Sequence, residues 1–510
     1  DWNPAEMIGH SPRPLALSLY QRLITDRVWA EARAAMGYRM VPHPLLVDYH
    51  GRTYIDVRLS LNSFLPTGLD EGICNNLINS QLAILADHRE YHDKIEFEVA
   101  ITCLDFSFSE VIKRRDSYGL TPTEKQQFKL SLKSLTEQAL SAGAAGLSQL
   151  LDRPRSLLSA PVFDQAVDTM PQIRNLLNEC IDKGTRPFSI LARHAFIGVS
   201  FLKSLVHRDV LSTTELELFM RSINTVATEF LSEMDKLESG EINRENFLGH
   251  YGHLRPGTYD IKSHRYDAEP DLYLGHWHPD TSEKLENFQL TPKQEKGIRS
   301  LLKEADYHVS TEDLLAYARQ AITAREEAKF AFTRNISDAL RLIESWGERN
   351  GFSSEDLSFL TIDEILSDCD FGLLRERIAA GREAYLLAKS FRLPHIICEP
   401  DDVYVIRMPI GQPTFITSQN ITAQSQELRS SEYKNIDGKI VLIESADPGF
   451  DWIFTHHISG LVTCYGGSNS HMAIRCAEFG LPAAIGCGER LFRTLSSSSV
   501  IELNCGEHKV

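Results

Sequence analysis

One histidine near the C-terminus lies at a predicted junction of strand, turn and helix. An apolar run at 458–462 predicts a short strand, and Gly466 and Gly467 predict the turn after it, because glycine adopts backbone angles that other residues resist. Apolar residues then recur at helical spacing over 472–479. Three residues suited to a helix N-cap come before them: Ser468, Asn469 and Ser470. His471 is therefore predicted in the first turn of a helix.

That position suits an imidazole that carries a phosphoryl group. Free backbone N–H groups and the positive end of the helix dipole favour a phosphate there. The same field disfavours the imidazolium form, which keeps the ring neutral and nucleophilic at pH 7. The surrounding groups that could bind the phosphoryl group belong to Gly466, Gly467, Ser468 and Ser470. On the local pattern alone, a second interpretation stays open, in which His471 only caps a helix near the surface.

The run GGSNSHMAIRCAEFGLPAAIG at 466–486 resembles the phosphohistidine signature of the phosphoenolpyruvate-utilising mobile domain. That domain occurs in pyruvate phosphate dikinase, phosphoenolpyruvate synthase, rifampicin phosphotransferase and enzyme I of the sugar phosphotransferase system. The resemblance implies that His471 is the phosphorylated residue. It also implies a swivelling β/β/α domain that carries this histidine between two binding sites.

Two upstream motifs resemble the same enzymes. Tyr251 and His253 resemble their YGHRGPG-type loop, although the arginine is displaced by one place to Arg255. Arg325 and Lys329 resemble their RExxK helix. The resemblance implies an acceptor pocket in which the three cations offset phosphoryl charge, with His253 as the base and Tyr251 as a weaker candidate. The alternative for each residue is a hydrogen-bonded structural role, and Arg325 and Lys329 also fit a solvated helix face.

Composition narrows the function classes. The net charge of −17 argues against nucleic acid as the main partner. Nine cysteines without a CxxC pair predict free thiols in a reducing cytoplasm.

We expect no membrane association, because no apolar run is long enough to span a bilayer and the N-terminus is not a signal peptide. The histidines of 249–278 lack metal-ligand spacing, so no metal site is predicted. Because residue 1 is not Met, the sequence is expected to be part of a longer chain.

The predicted fold is multidomain α+β, a large, mainly helical substrate-type domain followed by the C-terminal phosphohistidine domain. The helical domain is placed at 1–390, with a small β element near 45–58 and a loop at 249–278, the linker at 391–411 and the last domain at 412–510. In the last domain the pattern predicts five strands and two helices: strands at 414–417, 439–444, 460–463, 482–485 and 500–503, and helices at 448–456 and 470–479.

These observations predict a dikinase-type phosphotransferase, similar to phosphoenolpyruvate synthase. A phosphoryl group would pass from ATP, held with Mg²⁺ on an ATP-grasp domain that this sequence lacks, through His471 to a small-molecule acceptor. The alternative is a phosphocarrier that passes the group to a partner protein, as enzyme I does. The sequence leaves the acceptor open between an aromatic molecule, a sugar or polyol, and pyruvate.

Overall fold

The computed structural model describes most of the chain. The described residues are 8–9, 11–92, 94–113, 115, 118–159, 169–274, 288–367, 370–404, 413–428, 435–445, 448–467 and 470–510. For some of these, His471 among them, the backbone alone is described.

The described chain before residue 400 is mainly helical. Its helices are α1 Pro14–Tyr20, α2 Val28–Ala35, α3 Val57–Asn62, α4 Glu71–Asp87, α5 Phe108–Lys113, α6 Pro122–Ser141, α7 Gly143–Leu158, α8 Thr169–Glu179, α9 Arg186–His207, α10 Thr213–Arg221, α11 Val226–Glu238, α12 Arg244–Tyr251, α13 Pro270–Leu274, α14 Pro292–Glu304, α15 Thr311–Arg349, α16 Ser354–Leu357, α17 Ile362–Ile365 and α18 Phe371–Ser390. Single π-helical turns at Gln21–Thr25, Ile95–Val99 and Cys180–Thr185 join or flank these helices.

Helix α15 is the central element of this region. It is 39 residues long. The spacing of Ser310 and Asp313 in the sequence resembles a capping box, and the Ser310 hydroxyl does accept a hydrogen bond from the Asp313 N–H at the start of the helix. It packs closely against α7, α8 and α9. Its buried side chains enter four separate hydrophobic cores, so α15 connects the interior of the helical region from end to end.

A small β-hairpin holds the segment that leads to the last domain. Strands β1 Leu46–Tyr49 and β2 Arg52–Ile55 pair antiparallel around a turn in which both residues have positive φ, as the sequence predicts. The Arg52 guanidinium donates to the carbonyl oxygens of Ala388 and Phe391, and the Tyr54 hydroxyl donates to the Pro394 carbonyl. The chain after α18 is thereby fastened to this hairpin. The later part of the predicted linker, 405–411, lies outside the described residues.

The C-terminal region contains a mixed six-stranded sheet. Its strands are β3 Thr414–Ile416, β4 Asn420–Glu427, β5 Ile440–Ser445, β6 Gly460–Tyr465, β7 Ala483–Ile485 and β8 Val500–Asn504, in the order β3-β7-β6-β5-β4-β8. The four central strands are parallel, and the two edge strands pair antiparallel. Helices α19 His471–Glu478 and α20 Gly488–Ser496 and a 3₁₀ segment at Pro448–Thr455 connect them. A helical domain followed by a β/α domain confirms the predicted fold class.

One expectation about apolar segments needs correction. The stretch Thr169–His207 is long and apolar enough by composition to cross a membrane. It spans α8, a π-helical turn and α9, and 61% of its most apolar window is buried inside the protein. Its buried side chains pack against α15, which is what a core helix does, so the apolarity is weak evidence for a membrane.

Candidate active site

The predicted junction of strand, turn and helix is present at the C-terminal edge of the parallel strands. Strand β6 ends at Tyr465, and Gly466 follows with φ +135°, a value that favours glycine. Ser470 is the N-cap of α19 and accepts a hydrogen bond from the Ala473 N–H, so His471 is the first residue of the helix. Ser468 lies outside the described residues.

This backbone geometry can bind an anion. The first N–H groups of a helix have no acceptor within the helix, and they add to the positive end of its dipole. In open α/β sheets, ligands also bind outside the carboxyl ends of parallel strands, where α19 begins. The site therefore has the backbone that a phosphorylated residue at position 471 requires. The assignment of His471 itself remains a prediction.

Helix α19 packs against the helical domain. Arg475, one turn after His471, is buried, and its guanidinium donates to the Thr225 hydroxyl over 3.0 Å. The same guanidinium lies 3.8 Å from the buried Glu326 carboxylate of α15. Arg475 therefore lies on the side of α19 that faces the helical domain.

A cavity of about 40 Å³ lies at this contact between the two regions. Apolar side chains of α11 and α15 form much of its wall, and the C-terminal region closes it with Phe454, Arg475 and Phe479. Its polar lining comes from the predicted acceptor site and its neighbours: Tyr251, His253, Arg255, Thr258, Glu326, Lys329, Thr333 and Arg475. The structure thus brings four of the predicted upstream residues to one cavity beside α19.

Tyr251 and His253 occupy different environments in this wall. The Tyr251 hydroxyl is buried and has no hydrogen-bond partner among the described residues, and burial raises its pKa. The His253 ring is buried between two carbonyl oxygens, with Nδ1 3.1 Å from that of His250 and Nε2 3.2 Å from that of Phe330. Burial lowers the pKa of His253 to about 3, so the ring is neutral. This arrangement fits a structural role for His253, and its role as a base stays a prediction.

Arg255 is part of a network that fixes the loop after α12 to α15. Its guanidinium donates to the hydroxyl and the carbonyl oxygen of Ser337 and to the Asp260 carbonyl. Burial lowers its pKa to about 10. The neighbouring Arg265 pairs with Asp267 and Asp338. Arg255 therefore contributes positive charge to the cavity from a fixed position.

Lys329 and Arg325 lie on one side of α15 but have different surroundings. Lys329 is buried and lines the cavity one turn from Glu326. The Arg325 guanidinium stacks on the Phe196 ring at 5.2 Å, and its Nε lies 3.9 Å from the Glu326 carboxylate. Of the two, Lys329 is the better placed to meet a ligand in the cavity.

A second, wider cleft of about 830 Å³ separates the hairpin side of the helical domain from the sheet. Its lining mixes both charges: Arg52, Lys389 and Arg392 with Asp260, Glu427, Glu444 and Glu489. Tyr465, at the end of β6, also lines it. Arg392 forms an ion pair with Glu489 of α20 across this cleft, which ties the linker to the last domain.

The sequence interpretation missed two residues of this site, Arg475 and Thr225. The only available signal was the spacing of Arg475, four residues after His471 on a helix that begins at that histidine. Nothing in the sequence links Arg475 to Thr225, since 250 residues separate them. In the described part of the chain, no group of three or more His, Cys, Asp or Glu side chains could hold a metal ion.

The C-terminal region thus combines a strand, a glycine turn and a helix that begins at a histidine, and it packs on the helical domain. Residues 435–507 match the family described as PEP-utilising enzyme, mobile domain. This match confirms, over residues 435–507, the resemblance found in the sequence.

Two curated relatives extend the similarity beyond that domain. Rifampicin phosphotransferase of Bacillus cereus is 25% identical over 297 residues, which cover 50% of this chain and 33% of that protein. Rifampicin phosphotransferase of Bacillus subtilis (strain 168) is 23% identical over 299 residues, with the same shares. The chain thus matches about a third of the length of these relatives.

Proposed function

We propose that this chain is the acceptor and carrier part of a phosphotransferase. A phosphoryl group from ATP would be taken up by His471 and passed to a small molecule held against the helical domain. The observation that carries the proposal is the packing of α19, which begins at His471, against the cavity that holds Lys329 and Tyr251. The relatives' name supports phosphoryl transfer as the reaction class.

The lining of the cavity fits the needs of such a transfer. His471 as nucleophile would form a P–N bond to the phosphoryl group, and this bond would break as the acceptor hydroxyl or enolate attacks phosphorus. Lys329 and Arg255 supply positive charge where the phosphoryl oxygens would pass. The apolar side chains of α11 keep water from competing as the acceptor.

The small size of the cavity supports a movement of the last domain. A volume of about 40 Å³ holds little more than a water molecule, so an acceptor enters only when the two domains separate. Separation would also let His471 reach a donor elsewhere. As part of the same proposal, we place ATP and Mg²⁺ on a domain outside this sequence.

A small-molecule phosphoryl donor tests whether His471 can carry a phosphoryl group in the absence of the proposed ATP-binding domain. Phosphoramidate phosphorylates nucleophilic imidazoles directly, and the product is detected by mass spectrometry at alkaline pH, where the P–N bond survives. We expect one phosphate on His471 in the wild-type chain and none there in His471→Ala. The matched control is His508→Asn, an exposed histidine of the same domain whose positive φ of 55° asparagine tolerates. Label on other histidines with none on His471 would contradict the proposal.

An acceptor screen then separates the two function classes. Labelled chain is mixed with aromatic alcohols, sugars, polyols or pyruvate, and the loss of label from His471 is followed. Transfer to a small molecule supports the proposal. Transfer only to another protein would instead establish the phosphocarrier.

A further inference from the structure

We propose that Arg475 is a positioning residue, whose pairing with Glu326 and Thr225 fixes the docked register of the mobile domain on the helical domain. Arg475 acts at the contact between the two domains, and its role in phosphoryl transfer rests on the proposed function. Arg475 is 2% exposed and Glu326 is 2% exposed, so the pair is closed off from solvent in the docked arrangement.

The apolar part of the contact cannot fix this register by itself. Phe230, Phe330 and Tyr251 of the helical domain share one hydrophobic core with Met472 and Cys476 of α19. Such contacts are strong but non-directional, and they tolerate sliding by a fraction of a helical turn. A directional partner is needed to select one position of α19.

Arg475 provides that direction from two sides. Its guanidinium donates to the Thr225 hydroxyl at the start of α11 and faces the Glu326 carboxylate of α15 at 3.8 Å. These two partners lie on different helices, so both distances are kept in only one placement of α19. Buried ion pairs contribute little net stability, and in some proteins buried polar groups select one packing register.

The placement of Arg475 bears on position 471. The two residues are one turn apart on an eight-residue helix, so a shift of Arg475 moves the start of the helix with it. A displacement of about 1 Å is enough to slow a positioned reaction by about 100-fold. The pair would therefore align the carrier with the cavity, without itself touching the reacting atoms.

Hydrogen–deuterium exchange of the full chain tests the docking without any phosphoryl donor. We expect Arg475→Met to speed amide exchange in α11 and α19 by about tenfold, because it leaves the Glu326 carboxylate buried without this partner. The double variant Arg475→Met/Glu326→Met should exchange more slowly than Arg475→Met alone. The matched control is Arg493→Met, on the exposed face of α20.

Two results would overturn the docking claim. One is unchanged exchange in α11 and α19; the other is faster exchange everywhere, including β5 and β6, since the pair would then support the whole fold. If Arg475→Met fails to fold, Thr225→Val removes the hydroxyl to which Arg475 donates. Because Thr225 also caps α11, exchange is then read in α19, where it should be about threefold faster. No change in that variant would also reject the claim.

A transfer assay separates positioning from packing. In Arg475→Met, labelling of His471 by phosphoramidate should be unchanged, while acceptor-dependent loss of label slows by at least about tenfold. Arg475→Lys keeps the charge and should restore part of the rate; a rate as low as that of the methionine variant would refute the ion pair. If the wild-type chain never carries phosphate, the proposed function fails, whereas the exchange result stands.

Discussion

Three cations, Lys329, Arg255 and Arg475, line the cavity with one carboxylate, that of Glu326, among the described residues. Burying charge is costly unless opposite charge is near, so an excess of cations at an apolar cavity favours a negatively charged ligand. A phosphoryl group in transit has this charge. The arrangement at the residue scale is thus better suited to receiving phosphate than to binding a neutral molecule alone.

Replacing Lys329 tests this view. Lys329→Met keeps the length of the side chain and removes its charge, so we expect acceptor-dependent loss of label from His471 to slow by about 100-fold, the usual effect of deleting one group that stabilises the transition state. Labelling by phosphoramidate should not change. Lys303→Met, an exposed lysine of α14, is the control. Equal rates in the two variants would remove Lys329 from the mechanism.

Gly480 shows how one element depends on another across the domain contact. It ends α19 with φ +60°, and a Cβ atom there would lie 2.7 Å from the Arg221 guanidinium of α10. We expect Gly480→Ala to cost about 1 kcal/mol in backbone strain and to speed exchange in both α10 and α19.

Gly438→Ala is the matched control for that variant. Gly438 has a similar φ of +68°, but a Cβ atom there would meet nothing within 4 Å. It should lower the melting temperature by a comparable amount without changing the exchange of α10. If both variants change α10 equally, the contact with Arg221 is not responsible.

Local signals predicted the elements that begin and end with characteristic residues. The N-cap Ser310 and the Gly466 turn were found because a short run of residue types determines each. Strand β4 was missed, since its sequence NITAQSQE is mostly polar and none of its residues is fully buried. The spacing of apolar residues predicts helix over 126–151 and over 214–237, and the structure has two helices in each segment. The sequence predicts one long helix or a broken pair over 310–349, and the structure has one helix.

The cavity could be predicted only in part, for a different physical reason. The motifs identified Tyr251, His253, Arg255 and Lys329, and these do meet at the cavity. Arg475 depends on Thr225 and Glu326, which are distant in sequence, and no local pattern reports such a contact. The sequence was therefore enough to identify the residue types at the cavity, whereas the contact partner of each side chain could be identified only from the tertiary structure.

At the scale of the whole molecule, buried histidines predict a loss of stability in acid. Burial lowers the pKa of His194 to about 4 and that of His253 to about 3, from an ordinary value near 6.5. Between pH 6.5 and 4 the unfolded chain binds protons that the folded chain does not. Each ring then lowers the free energy of unfolding by up to about 1.4 kcal/mol per pH unit. Asp105 opposes them, because burial raises its pKa to about 6.

Urea unfolding at several pH values measures this linkage. His194 lies in α9 and contacts the Tyr317 hydroxyl through Nδ1 at 2.9 Å. His194→Gln keeps a polar partner for that hydroxyl but binds no proton. We expect its free energy of unfolding to fall less steeply than that of the wild-type chain between pH 6.5 and 4.5. Parallel curves for the two proteins would reject the assignment, and His508→Asn serves as the surface control.

The hydrophobic core shared by Phe230, Phe330, Met472 and Cys476 also affects how the protein behaves in a concentrated solution. If the two domains separate, as we propose, the apolar side chains on both sides of that core become exposed to water together. A chain that stayed in this separated form would bind through its exposed apolar surface to other separated chains, or to an environment-sensitive dye. Under the proposed function, each separation of the domains should therefore be brief. The site that supplies the phosphoryl group should offer another apolar surface that covers the exposed side chains of α19.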